Sequence, residues 1–183
     1  PISDLQTWGR DIKRPYYDEE YMKKIAVFAD VQNIYYTVRD TFGCNFNYRE
    51  LWRQLSLQGD VILANAYATN RNDSQQQGFQ KALRSIGFNV KLKPFIQRSD
   101  GSAKGDWDVG IAVDMMDAAL SESSMIDTIV LLSGDGDFDV LLQRINGHKK
   151  ISTIVFGVRA LTAISLIDSA SKFNPIEGDL LLN

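Results

Sequence analysis

Cysteine and histidine are almost missing from this chain: Cys44 and His148 are the single examples of each in 183 residues. One cysteine excludes an intramolecular disulfide and any cysteine-rich zinc site. The one histidine sits in Gly147-His148-Lys149-Lys150, at a helix-to-strand turn where a cation suits the preceding helix C-terminus. It reads as a solvated loop residue rather than a general base, so no Ser-His-Asp type of triad can be assembled. No apolar run is long enough to span a bilayer, no signal-peptide pattern follows Pro1, and there is neither a repeat nor a low-complexity tract. A first residue other than Met is expected of a processed or trimmed N-terminus. Excess positive charge is lacking too: the net charge is −3 and the pI near 5.2, so the surface as a whole does not advertise a nucleic-acid coat. A local basic groove stays compatible with that balance. Also absent are a Gly-rich P-loop with its Lys-Ser/Thr, a GxGxxG turn after the first strand, and a serine nucleophile elbow.

What is present is a globular composition, 44% hydrophobic and 23% charged, at a length that suits one domain with a full core. A cytoplasmic protein is the expectation. Residues 1–22 read as an N-terminal arm with Trp8, Tyr16 and Tyr17 but no clean periodicity, and residues 23–183 as the domain. Strands are predicted at 24–30, 61–67, 90–95, 128–132 and 151–156. Helices are predicted after Asp30 and over 48–57, 74–86, 106–121, 138–145 and 160–170. Gly87 makes a natural helix stop, and Pro175 would confine a short last strand at 172–176 to a sheet edge. Inward positions include Tyr35 on the first helix, Phe79 on the third, Leu161 and Ile164 on the last, and most of the fourth helix, whose Met115–Met116 pair reads as core filler. Strand and helix alternate throughout, which calls for a three-layer α/β/α sandwich on a mostly parallel sheet.

The chain is organised around Asp127 to Ile145. A continuous apolar strand runs into Ser133-Gly134-Asp135-Gly136-Asp137, a tight turn whose glycines can take φ values other residues resist, and then into a helix. Asp135, Asp137 and Asp139 thereby crowd a strand's carboxyl end, where open α/β sheets place their ligands. One Asp there would be ordinary helix capping. Three repel one another and point to a cation or basic partner. Asp30 occupies an equivalent junction after the first strand, with Asn33 one turn on, close enough to bond it or to meet a substrate. Asp106 and Asp108 open the fourth helix. If these ends are adjacent, four or five carboxylates share one volume, and their repulsion amounts to several kcal/mol at an effective dielectric near ~20. Hard divalent ions, Mg²⁺ or Mn²⁺, take oxygen ligands of this kind, and two such ions roughly 4 Å apart serve phosphodiester displacement. Asp114, about 240° round the helix from Asp108, either supports this site, faces solvent or pairs with a basic side chain.

For a substrate, residues 81–104 carry Lys81, Arg84, Lys91, Lys93, Arg98 and Lys104 against only Asp100. Lys104 and Arg98 are the best candidates for phosphate contacts, followed by Arg71 and Asn70. Trp107 and Tyr35 could stack on a base, though packing explains both as well.

Three motifs now stand in order: FADVQN (Asp30, Asn33), AKGDWDVGIAVDMM (Lys104, Asp108, Asp114) and SGDGDF (Ser133, Asp135, Asp137). Together they resemble the NYN domain, most closely its LabA-like branch within the PIN-like nuclease superfamily, over about residues 24–173. The resemblance implies a PIN-like fold and metal-dependent ribonuclease activity. Its acidic pocket maps onto Asp30, Asp108, Asp135 and Asp137, with Asn33 and Ser133 lining it. Lys104 and Asp108 are separated by Gly-Asp-Trp, longer than the spacing of many relatives, so Asp106 and Asp108 both stay candidates for the metal. Some members of this branch are discussed as regulators. The competing expectation is therefore a catalytically weak or inactive RNA-binding or regulatory module; a homo-oligomer is compatible with either reading. A phosphohydrolase of the haloacid dehalogenase type is weaker, because Asp30-Val31-Gln32 lacks the second Asp two positions on.

Overall fold

The structure, a computed structural model, describes residues 21–71, 73–94, 96–97, 99–100, 103–104, 106–148 and 151–183. The expected arm at 1–22 falls almost wholly outside them. In chain order the elements are β1 (Lys24–Asp30), α1 (Val31–Phe42), β2 (Asn45–Phe46), α2 (Tyr48–Ser56), β3 (Asp60–Asn70), α3 (Ser74–Ile86) and β4 (Asn89–Pro94). There follow β5 (Ile96–Gln97), β6 (Ala103–Lys104), α4 (Asp108–Leu120), β7 (Thr128–Leu132), α5 (Asp139–Asn146), β8 (Ser152–Gly157), α6 (Ile164–Ser169), β9 (Lys172–Pro175) and β10 (Leu181–Leu182).

Six of the strands form one sheet in the order β4-β3-β1-β7-β8-β9, and every neighbouring pair is parallel. Parallel pairing demands crossovers, and the helices supply them on both faces. Alternation along the strands sorts the core into two layers. Ile25, Val27 and Ala29 of β1 face Ile34, Val38, Leu51, Leu55 and Leu83 of α1 to α3. Ala26 and Phe28 face Ile111, Met115, Leu142 and Leu166 of α4 to α6. Each such Leu, Ile or Phe, fully buried, stabilises the fold by roughly 1.5–3 kcal/mol. The three-layer α/β/α sandwich is therefore the observed architecture. Among the described residues no helix is long and apolar enough to cross a membrane.

The caps follow the sequence closely. Asn47 accepts from the Glu50 N–H at 3.1 Å, and Asp73 from that of Gln76 at 2.7 Å. Gly87 ends α3 at φ 134°, and β9 with its proline lies at the sheet edge, both as predicted. Several inward assignments need correction. α4 turns only Ile111, Met115, Ala118 and Ala119 to the sheet, because a helix in an outer layer buries one stripe. Val109, 76% exposed, and Val113 and Leu120 lie on its open side. Tyr35 and Phe79 are exposed as well, with Gln80 buried on α3 instead. The last helix begins at Ile164, not near Ala160, because residues 159–161 form a separate 3₁₀ turn. That shift of phase puts Leu166 in the core and leaves Leu161 and Ile164 outside. The central Ser-Gly-Asp-Gly turn also departs from expectation, since neither Gly134 nor Gly136 has a positive φ. Glycine is required at 134 by proximity: a Cβ there would stand 2.7 Å from the Leu161 carbonyl oxygen.

Candidate active site

Chain order reverses at β1. From it the chain moves outward to β3 and β4, then returns to lay β7, β8 and β9 on the other side. The crevice beyond the carboxyl ends of β1 and β7 is thus the topological switch point of the sheet, the usual ligand site of such folds. Asp30 ends β1 there, 9% exposed, with Oδ1 accepting from the Asn33 N–H at 3.3 Å as the cap of α1. Its Oδ2 accepts from the Ser133 hydroxyl at 3.2 Å, and the same hydroxyl oxygen accepts from the Asp135 N–H at 3.2 Å. Across the gap, Asn33 Oδ1 accepts from the Gly134 N–H at 2.9 Å. Two strand ends distant in sequence are tied together by one serine and one asparagine.

The third contributor is the start of α4. Trp107 anchors it: the indole N–H donates to the Ala68 carbonyl at 2.9 Å, and the ring meets Tyr67 edge-on at 5.3 Å. The Lys93 ammonium stands 4.4 Å from the centroid of the Trp107 ring and donates to the Asp106 carbonyl at 3.1 Å. Asp108, the first residue of α4, is thereby aimed at the β7 turn.

Asp30, Asp106, Asp108 and Asp135 line one cleft of about 250 Å³ with Gln32, Asn33, Tyr36 and Thr37. Carboxylate oxygens of Asp108, Asp135 and Asp137 all lie within 4.8 Å of one another. Of the two candidates at the start of α4, Asp108 belongs to that trio, while Asp106 is exposed and lines the cleft outside it. Burial, reinforced by the charges of Asp108 and Asp135, pushes Asp30 from the ordinary 3.8 up to about 6, against the hydrogen bonds from Asn33 and Ser133. Asp108 is likewise raised to about 6 by burial and by Asp135, Asp106 and Asp137, with Lys93 opposing. Hard oxygen donors at this spacing, short of positive charge, fit a divalent cation.

The remaining candidates scatter. Ser133 is completely buried, so it braces two acids from behind rather than facing solvent. Asp139, the first residue of α5, turns its carboxylate to the Val140 N–H, a place where negative charge suits the helix N-terminus. Asp114 pairs with Lys91. Arg71 lines a neighbouring cavity, not this cleft. Arg98 lies outside the described residues, and of Lys104 only the backbone, in β6, is described. Sequence reasoning missed Gln32, Tyr36 and Thr37 as cleft residues; their only signal was position on the first turns after Asp30, on the side away from the core.

Fold and site together define a class: an α/β domain with an aspartate-rich cleft at the switch point of a parallel sheet. The model of the NYN domain matches residues 24–177, and the chain belongs to that family, within the PIN-like nuclease superfamily and on its LabA-like branch. Low amplitude and bright protein LabA of Synechococcus elongatus is 31% identical over 140 residues, covering 72% of this chain and 73% of LabA. A crystal structure of a Vibrio parahaemolyticus protein of unknown function superposes with a TM-score of 0.82 at 45% identity, covering 89% of this chain and 98% of that one.

Proposed function

We propose that the protein is a divalent-metal-dependent ribonuclease, hydrolysing phosphodiester bonds of RNA in the cleft between β1, β7 and α4. The observation that carries this reading is the meeting of Asp108, Asp135 and Asp137 within 4.8 Å of one another, from two segments distant in sequence. Membership of the NYN family supports it. Asp108, Asp135 and Asp137 would hold Mg²⁺ or Mn²⁺, with Asp30 as a fourth acid at the back of the cleft. A divalent ion supplies Lewis acidity toward a phosphoryl oxygen and makes water acidic enough to attack at neutral pH. The chain's own residues prepare the place. Ser133 and Asn33 fix the spacing of the strand ends, and the Trp107–Lys93 contact fixes Asp108. Asp30 is charged only above about pH 6, so it adds negative charge to the cleft in the neutral range and withdraws it under acid.

Purified protein incubated with single-stranded RNA and Mn²⁺, beside an Asp135→Asn variant, tests the reading. Wild type should cleave and the variant lose about a thousandfold in rate. Equal cleavage by both would identify a contaminant and overturn the proposal. RNA binding without cleavage by either would favour the regulatory module instead.

A further inference from the structure

A second and larger concavity adjoins the acidic cleft. About 510 Å³ in volume, it opens between α1, the end of β3 and the start of α3. Gln32 and Tyr36 belong to the walls of both cavities, so the two lie side by side along α1. Its floor is apolar where Ile34, Phe46 and Ala68 reach the core. Tyr35 and Tyr36 are 47% and 44% exposed and meet edge to face with centroids 5.3 Å apart. The Arg39 guanidinium lies 5.8 Å from the centroid of the Tyr35 ring, and Arg71 donates to the Tyr36 hydroxyl at 3.3 Å.

Two exposed aromatic rings flanked by two guanidinium groups are unusual company for a cleft lined by four aspartates. Each part matches one part of a nucleotide. Ring faces and guanidinium planes accept any base by stacking, and guanidinium groups attract phosphate. The volume lies in the range of sites that enclose a small organic group. Without a cation the acidic cleft repels a polyanionic strand, whereas the groove along α1 offers it positive charge whether or not an ion is present.

We propose that this groove holds an unpaired nucleotide of the RNA strand next to the phosphodiester that occupies the acidic cleft. Tyr36 stacks on the base with Tyr35 set edge-on beside it, while Arg39 and Arg71 take flanking phosphates. The inference rests on the ribonuclease reading and narrows it: the substrate is single-stranded, because a base can leave the stack to enter such a groove only where it is unpaired.

A fluorescein-labelled oligoadenosine of about 12 nucleotides is the probe, titrated with the full chain in EDTA and read by anisotropy. Tyr36→Ala and Arg39→Ala should each weaken binding about tenfold. Arg39→Ala should also lower the slope of log affinity against log salt by about 0.7, the share of one phosphate on a single strand. Tyr36→Phe keeps the ring and should stay within about twofold of wild type. Unchanged affinity in both alanine variants, with native circular dichroism, overturns the proposal, as does duplex RNA binding as tightly as the single strand. The two readings fail separately. If both alanine variants weaken binding but the wild-type protein never cuts RNA, the groove stands and the ribonuclease falls. If both still bind normally and cut at the wild-type rate, the reverse holds.

Discussion

Asp108 and Asp114 share one helix and live under opposite conditions. Asp114 accepts from the Lys91 ammonium at 2.6 Å and from the Tyr67 hydroxyl at 2.7 Å. Burial acts to raise its pKa, but those two bonds outweigh burial and hold the carboxyl below the ordinary range. Asp108 faces Asp135 and Asp137 instead, and burial together with their charge raises it to about 6. Among the described residues the ion pairs go to Glu50 and Asp114, and none to Asp108. The difference separates an acid paired within the architecture from one that faces other acids, with only Lys93 opposing their charge. A protein that could equip Asp114 with a lysine on the neighbouring strand had no physical bar to doing the same for the cleft.

The contrast can be broken at three points. The largest effect concerns Asp30 in metal-free protein. Its folded pKa of about 6 lies above the ordinary 3.8, so the native state binds the proton more tightly than the unfolded chain does. Stability is then fullest below about pH 4 and is lost as pH rises through about 6, by up to about 3 kcal/mol. Denaturant unfolding between those limits should show that slope, and Asp30→Asn should make it shallower, leaving the smaller share of the half-buried Asp108. An equal slope in both proteins would mean that the cleft is not electrostatically strained. Next in size, Mn²⁺ at about a hundredfold over its Kd should raise unfolding free energy by ~2.7 kcal/mol. By calorimetry the gain should vanish in Asp108→Asn and survive in Asp114→Asn; loss in both would merge the two acids into one role. Smallest, Asp114→Ala strands Lys91, which water reaches, and leaves the buried Tyr67 hydroxyl only its bond from Asn65, and should cost about 1–2 kcal/mol while sparing Mn²⁺ affinity. A stability equal to wild type would reduce that pair to a surface contact.

Much of this was legible beforehand because strands buried on both faces leave continuous apolar runs, as at Thr128–Leu132, and carboxylates at their ends stand out against them. That Asp30 and Asp135 stand on one rim followed from alternation, since a parallel sheet with crossovers brings all strand ends there, but their adjacency was left as a condition that only the pairing of β1 with β7 meets. Side-chain duties were harder. Ser133 reads as a pocket residue in sequence, yet only the register of β1 against β7 shows its hydroxyl spanning two acids. Lys91 and Lys93 read as members of a basic tract. One is consumed by Asp114 and the other lies on Trp107, pairings set by strand order that no local pattern encodes. Tyr35 and Phe79 failed the helical-face argument because a groove, not the core, receives that side of α1 and α3.

The wedge at Gly134 carries one more consequence. Its carbonyl accepts from the Ala163 N–H at 3.0 Å, and no side chain could be inserted between it and Leu161. The loop bearing two of the three clustered acids is therefore set by main-chain contact with a part of the polypeptide that contributes no acid itself. Such a mould sets the loop's backbone during folding, so a group bound beside it would find part of the ordering cost already met.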